Sequence, residues 1–534
     1  MFQTCHGRTM KRTKRPADDK VGRVTDHDQE DSTMKTPLIL FLASALPVIS
    51  AACASSKNSE TESEKKPDVT VAWSDVKQTM EGFGASSAFF GDAISDEIAD
   101  LLFDAKKGIG LSLLRTMVGL PADTKSDGSG PTENLKPTAT APELTTAQQA
   151  VVRGAKVWAT AWTPPPIWKT TNNKNGSGEG FSSNKLDPAY YQDFADYLAD
   201  FVKLMADKGV QLIGMSPANE PDYVASWDGA QWSGDELTTF ISKNLGPTFE
   251  KKCPSVKIIA PDTAAMPNLD HYVTPLFADP AAKRYVSIIA THPYSGDGKA
   301  YDKPRENGKS FWQTEWSQEN MNGDRPDPTM NSAIDMMEHM HTHLTTLNMN
   351  AWNWWAIYIS AGALRDADKE KVRQNPALIQ PDETMGKSYM FKRGWAFGHW
   401  SRFVRPGFKR IGVTDRPVPG VLIEAYRDDG SRIVLTAINT SFDRVTLTFA
   451  VEGGSFGKLT PWVTSPDDNM VAKDQKDAGK TFSYELPARS VVTFVNWDAT
   501  KETPNQGLLP VIDRPDGGST VKPQKGISIK SHLR

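Results

Sequence analysis

The sequence predicts an α/β fold, a (β/α)8 barrel with an attached antiparallel β-sandwich. Three observations predict it. Between residues 81 and 403, eight short apolar or β-branched runs alternate with helical patterns, as parallel β-α units do. Most of these runs end in polar or aromatic residues, and a barrel of this kind carries its chemistry at the C-terminal strand ends. Beyond residue 404 the helical periods stop, and short alternating runs follow.

In chain order, residues 1–33 are polar without an apolar period and are read as a disordered or over-extended N-terminus. Residues 34–53 have the pattern of a signal peptide: Lys35, an apolar stretch over 37–49, then small residues up to Cys53. The stretch is too short for a comfortable membrane span. Cys53 is a lipidation candidate, which would give the protein an outer-membrane lipid anchor, although Ser50 stands where such motifs carry an aliphatic residue. Secretion after Ala52 or Ala54 is the other reading, and either one exports the protein, facing the periplasm or the exterior. Residues 54–67 form a linker, 68–80 begin the side domain, 81–403 the barrel and 404–497 the β-sandwich. Residues 498–534 are rich in Pro, Gly and Lys and read as a disordered tail.

The barrel strands are expected at 81–87, 110–119, 155–162, 210–215, 256–262, 285–292, 310–316 and 349–358. Helices are expected at 190–208, 236–252 and 331–347. In the first of these, Phe194, Tyr197, Leu198, Phe201, Leu204 and Met205 make one apolar face. The side-domain strands are expected at 421–426, 432–439, 445–451, 458–464 and 490–496. The run 69–73 joins them, so that the barrel is inserted after the first strand of that domain.

A formal net charge of −4 gives no concentrated basic face, so nucleic acid is not an expected partner. Of three cysteines only Cys253 lies in the mature body, which rules out a disulfide framework and leaves stability to the core. The chain is expected to be a monomer without cofactor or metal. Its 15 Trp residues are partly core, but those at strand ends suit platforms for sugar rings.

Those ends, taken together, are the candidate site. The second strand carries Arg115, the third Trp162 with Trp168 beyond it, and the fourth Asn219, Glu220 and Tyr223. The sixth carries His292 and Tyr294, the seventh Glu315 and Trp316, and the eighth Trp354, Trp355 and Tyr358. Singly, Arg115 could be a structural ion pair and His292 a core histidine; their shared rim argues otherwise. Glu220 and Glu315 would face each other across the mouth, and cleavage of a glycosidic bond needs such a carboxyl pair. A like-charged neighbour and partial burial would keep one of them protonated near neutrality.

The segments "EGFGASSAFF" (81–90), "WTPPPIWKTTNN" (162–173), "SPANEPDY" (216–223), "QTEWS" (313–317) and "YMFKRGWAFGHWSRFVRPGFKRI" (389–411) together resemble glycoside hydrolase family 30 over about residues 68–497. The resemblance implies a retaining glycosidase with Glu220 as acid/base, Glu315 as nucleophile and the other rim residues binding substrate. It also implies carboxyl groups about 5 Å apart. "NEPDYVASWDG" and "LPARSVVTFVNW" look most like the bacterial xylanases of the family, implying an endo-β-1,4-xylanase acting on a polysaccharide. The glucuronoxylan-specific members grip a glucuronate branch with arginine and tyrosine after strand eight. Here Tyr358 is present, Ile359 and Ser360 replace the arginine pair, and Arg365 lies farther along. The 162–180 segment is closer to the β-1,6-glucanase and glucosylceramidase branches, so an endo-β-1,6-glucanase is the alternative.

Two readings of other classes compete. A non-catalytic carbohydrate-binding lipoprotein would keep the tryptophans and lose a carboxylate, yet both glutamates are present. A metallohydrolase is suggested by "EHMHTH" (338–343), where His339 and His343 have the spacing of helical zinc ligands. The glutamate precedes the first histidine instead of following it, so a solvated face of an outer helix is the expectation.

Overall fold

The computed structural model describes residues 66–499 except 90–91, 126, 179–182, 297, 319–320, 323–324, 359–375 and 383–386. The expected leader with Cys53, the tail beyond 499, and Ile359, Ser360 and Arg365 lie outside the described residues. No helix among the described residues is long and apolar enough to cross a membrane.

Eight parallel strands close into a barrel: Gly82–Ser86, Leu113–Met117, Lys156–Thr160, Leu212–Ser216, Lys257–Thr263, Val286–Thr291, Ser310–Trp316 and Ala351–Ala356, the last pairing back onto the first. Each sits inside the range its apolar run predicts or within a residue of it. They are buried on both faces because helices cover the outside while other side chains fill the lumen. Leu113, Trp158, Ile259, Ile288, Ala290, Trp312 and Ala351 form the lumen plug. The first strand contributes glycines instead: a Cβ on Gly84 would lie 2.5 Å from the Leu113 carbonyl oxygen and 2.7 Å from Asn353 Oδ1. Tight packing there is what the "GFG" of 82–84 provides.

The helix Tyr191–Asp207 buries Phe194, Tyr197, Leu198, Phe201 and Met205, the face its spacing predicts. Residues 236–252 are instead three helical pieces in succession, Gly234–Phe240, a π-helical turn Ile241–Leu245 and Gly246–Lys252. A side chain at Gly246 would collide with the Tyr285 ring at 2.1 Å, so that close approach needs glycine.

The second sheet is antiparallel apart from one pair. Val69–Thr79 runs antiparallel to Lys409–Val413 and parallel to Val445–Glu452, so the first described strand is held by strands from the far end of the chain. Lys409–Val413 and Thr481–Leu486 are strands that the sequence reading does not anticipate. In Val421–Arg427, Val421, Ile423 and Ala425 point into this domain's own core, and Leu422 and Tyr426 into the core shared with the barrel. Between them Glu424 is buried and accepts from Trp400 Nε1 (2.8 Å) and Tyr426 Oη, with His341 Nδ1 at 3.0 Å. His341 lies on the barrel helix Met330–Thr345 and Trp400 on Lys392–Ser401, so one carboxylate ties two barrel helices to the sheet. Burial alone would raise the Glu424 carboxyl; its donors outweigh that and hold it below the ordinary value.

Replacing Glu424 with alanine leaves these donors without their acceptor and should cost about 3–5 kcal/mol, read from urea unfolding. A carboxyl depressed in the folded state stabilises above its unfolded pKa. The penalty of the variant should therefore shrink as pH falls through the acid range.

Candidate active site

The strand ends converge as expected for Arg115, Asn219, Glu220, His292, Tyr294 and Glu315. Arg115 is fully buried at the top of the lumen, its guanidinium 4.5 Å from the Trp162 ring centre and 5.2 Å from that of Trp158. It donates to Glu315 Oε2, to Asn219 Oδ1 at 2.6 Å, to Thr160 Oγ1 at 3.1 Å and to Asp262 Oδ2 at 3.2 Å. Tyr294 Oη donates to the other oxygen of Glu315 at 3.0 Å. His292 stands between two carboxylates, Nδ1 3.1 Å from Glu220 Oε1 and Nε2 3.2 Å from Asp262 Oδ1. One carboxylate oxygen each from Glu220 and Glu315 and a His292 nitrogen all lie within 4.8 Å of one another.

The "SPANEPDY" turn builds much of this. Ser216 Oγ donates to Asp262 Oδ2 at 3.0 Å, and the Asn219 N–H bonds the Ala161 carbonyl at 3.0 Å. Glu220 has φ +48°, a left-handed conformation that is uncommon for a residue with a side chain and is a frequent mark of functional sites. Its N–H is held by the Asp262 carbonyl at 2.9 Å. Asp222 caps the neighbouring loop, accepting from Ala264 N and Asn268 Nδ2 at 2.8 Å each. Tyr223 is half exposed, its ring 5.7 Å from that of Trp227.

Charge is concentrated here on groups that are largely buried. Burial raises the Asp262 carboxyl, but Arg115 and His292 outweigh it and bring the group down to about 2. Burial lowers His292, yet Glu315, Asp262 and Glu220 outweigh it and push it up to about 10. Glu315 is raised by burial and by the charge of Glu220, against the pull of His292 and Arg115.

Several expected site residues lie elsewhere. Trp316 points out of the barrel, its ring centre 4.6 Å from that of His339 and tilted to it by 32°, and packs on Trp352 and Trp354. Trp354 is fully buried in the same outer layer, donating to the Pro376 carbonyl at 2.6 Å. Trp168 is packed between Tyr190 and Tyr197, behind its loop. These three are core and not sugar platforms. Trp162 and Trp355 are buried at the rim and support Phe89, whose ring is 5.2 and 6.4 Å from theirs. Tyr358 lines a separate cleft of about 360 Å³ with Ser87, Phe89, Met117 and Glu143. The helix expected to be solvated at 338–343 buries His341 and His343 instead. His343 accepts from Trp352 Nε1 at 2.9 Å and His339 lies on Trp316, so the zinc reading is set aside.

Two residues at the centre escape the sequence reading. Asp262 closes the fifth strand run, where "PDT" reads as an ordinary strand end. Phe89 has φ +65° and is 44% exposed, an unusual combination for an aromatic residue. The double phenylalanine of 89–90 is its one sequence signal.

The arrangement is a polar cup with two glutamates at hydrogen-bond-controlled positions and exposed aromatic rings (Phe89, Tyr223, Tyr294) around it. Such a pair can deliver a proton to a leaving oxygen and a carboxylate to the carbon beside it.

A model of the glycosyl hydrolase family 30 TIM-barrel domain matches residues 132–404. The glucuronoxylanase XynC of Bacillus subtilis (strain 168) is 30% identical over 442 residues, covering 82% of this chain and 93% of that protein. The subfamily 8 xylanase Xyn30A of Clostridium acetobutylicum is similar in structure with a TM-score of 0.67 at 30% identity, over 80% of this chain and 99% of that one. The family 30 endoxylanase of Clostridium papyrosolvens C71 gives 0.63 at 29% identity, over 80% and 99%.

The packing of Trp316 gives a direct test. Trp316→Ala should lower the unfolding free energy by about 3–5 kcal/mol. A ring serving the site would show instead as unchanged stability with weakened ligand affinity.

Proposed function

This chain belongs to glycosyl hydrolase family 30 and is a glycoside hydrolase, and from that premise we propose that it is a retaining endo-β-1,4-xylanase in which Glu220 is the acid/base and Glu315 the nucleophile. One observation carries the mechanism: oxygens of the two carboxylates lie within 4.8 Å of each other. That separation suits a direct attack by one carboxylate, whereas pairs that work through an intervening water stand about 6.5–9.5 Å apart.

The hydrogen-bond partners support this division of roles. Arg115 and Tyr294 both donate to Glu315, one to each oxygen, and these donors favour the charged form that a nucleophile needs, opposing the burial that raises the group. Among the described residues the Glu220 side chain is hydrogen-bonded to His292 alone, leaving a carboxyl oxygen to carry and pass a proton. In the first step Glu315 bonds the anomeric carbon as the glycosidic C–O bond breaks, and the Glu220 proton goes to the departing oxygen. In the second, Glu220 takes a proton from water, whose oxygen displaces Glu315 and restores the original configuration. Asn219 gives its carbonyl oxygen to Arg115, so its amide N–H groups remain as donors toward a sugar 2-hydroxyl. Tyr223, on the Glu220 loop with Trp227 beside it, would take the leaving-group side, and Phe89 the opposite wall.

Xylan is supported by two relatives at 30% identity, one named a glucuronoxylanase and one a xylanase. Ile359 and Ser360 stand where the resemblance leads one to expect a glucuronate-binding arginine pair, so cleavage should not depend on that branch. A panel of glucuronoxylan, arabinoxylan, β-1,6-glucan and β-1,6-galactan with product analysis tests this. Neutral short oligosaccharides from unbranched xylan are expected. Cleavage of β-1,6-glucan with xylan untouched would replace the assignment with the glucanase reading.

Glu220→Gln should slow polysaccharide cleavage by about 10²–10⁴-fold, with a smaller loss on aryl glycosides whose leaving group needs no proton. Glu315→Gln should abolish turnover of both, and full activity in that variant would sink the assignment. Because Glu315 must be charged and its carboxyl is raised, kcat/KM should decline with acid on a limb centred above the ordinary glutamate value.

A further inference from the structure

Asp262 accepts four side-chain hydrogen bonds and has no exposed surface. Oδ2 takes Arg115 Nη2 at 3.2 Å and Ser216 Oγ at 3.0 Å; Oδ1 takes His292 Nε2 at 3.2 Å and Thr314 Oγ1 at 2.5 Å. Its acceptor capacity is filled, so it has nothing to offer a sugar. Yet each cation it holds reaches on to one of the glutamates: Arg115 to Glu315, and His292 to Glu220. Its backbone carbonyl also receives the Glu220 N–H at 2.9 Å. Asp262 itself has φ +67°, strained for a residue with a side chain, in a strand end bound to it on every side.

We infer that Asp262 is the positioning residue of this centre, the shared counter-ion through which Arg115 and His292 hold Glu315 and Glu220 at their working separation. The inference rests on the reading of the two glutamates as the catalytic pair. Two buried cations facing two glutamates alone would be free to rearrange as either glutamate changes charge during turnover. A third carboxylate, hydrogen-bonded through both of its oxygens, anchors the far side of Arg115 and His292. The arginine and the imidazolium then need not move when a proton leaves Glu220 or Glu315 becomes esterified.

The groups facing Asp262 and His292 are Arg115, Glu220, Glu315 and Tyr294, together with the hydroxyls of Ser216 and Thr314. Asp262→Asn keeps the shape and removes the charge. Its kcat should fall about 100-fold with KM within about twofold, the signature of misplaced groups and not of lost substrate contacts. In 15N-resolved histidine spectra titrated with pH, the wild-type His292 should stay doubly protonated well above the ordinary histidine range. In the variant its midpoint should move to lower pH. An unmoved midpoint with kcat within about threefold of wild type would overturn the inference. If that variant does not fold, Asp262→Glu, which keeps the charge but displaces it, gives the same readout: kcat within about threefold of wild type with an unmoved His292 midpoint would overturn the inference. Glu315→Gln separates the two ideas. If it stays active, the catalytic-pair reading fails; if it is inactive while Asp262→Asn turns over normally, only the role of Asp262 fails.

Discussion

Closing eight parallel strands fixes which side chains face the lumen, and this site exists because that alternation breaks at the rim. In the seventh strand Trp312 and Thr314 face inward, and strict alternation would turn Trp316 in and Glu315 out. The pairing with strand eight instead advances from Gln313 opposite Trp352 to Trp316 opposite Trp354, so the seventh strand holds one extra residue. That bulge sends Thr314 and Glu315 both inward and Trp316 outward. The fifth strand slips between Pro261 and Thr263, at the left-handed Asp262, and the fourth between Leu212 and Met215, below Ser216. Bulges beside active sites re-aim side chains, and here they bring Ser216, Asp262 and Glu315 to one point.

Such a point is costly to form. Arg115, His292, Asp262 and Glu315 are taken from water almost completely, and removing one member of a buried ionic group leaves uncompensated charge. The network is tolerable because its donors and acceptors interlock: Arg115 alone serves Glu315, Asn219, Thr160 and Asp262. Interlocking also makes it rigid. Preorganised charge of this kind favours a transition state in which charge develops on the sugar, because little has to reorganise as the reaction proceeds.

The outer layers serve the same end from a distance. The tryptophans of strands seven and eight, Trp316, Trp352 and Trp354, clamp the rim from outside against the Met330–Thr345 helix. That helix is in turn fixed to the sheet by His341 and Glu424. A strand end carrying Glu315 is therefore braced by packing on its other face, and the sheet domain acts as its abutment.

The eight strands, the glutamate pair and most of the polar rim were legible because each is written locally, as an apolar run with chemistry at its end. What was not legible depends on parity. Trp316 adjoins Glu315 in sequence, but a bulge that no periodicity announces decides which of the two faces the lumen. The same reasoning explains Trp354, which points outward while its neighbour Trp355 packs at the rim against Trp162. Asp262 stayed hidden for a different reason: its role is defined by Arg115 and His292, which come from the second and sixth strand ends. A helix with histidines at a metal-like spacing likewise took its meaning from a distant partner, Glu424 on the sheet. Residue type and spacing point to the candidate groups for chemistry, whereas the groups packed behind them come into view only in the closed barrel that brings them together.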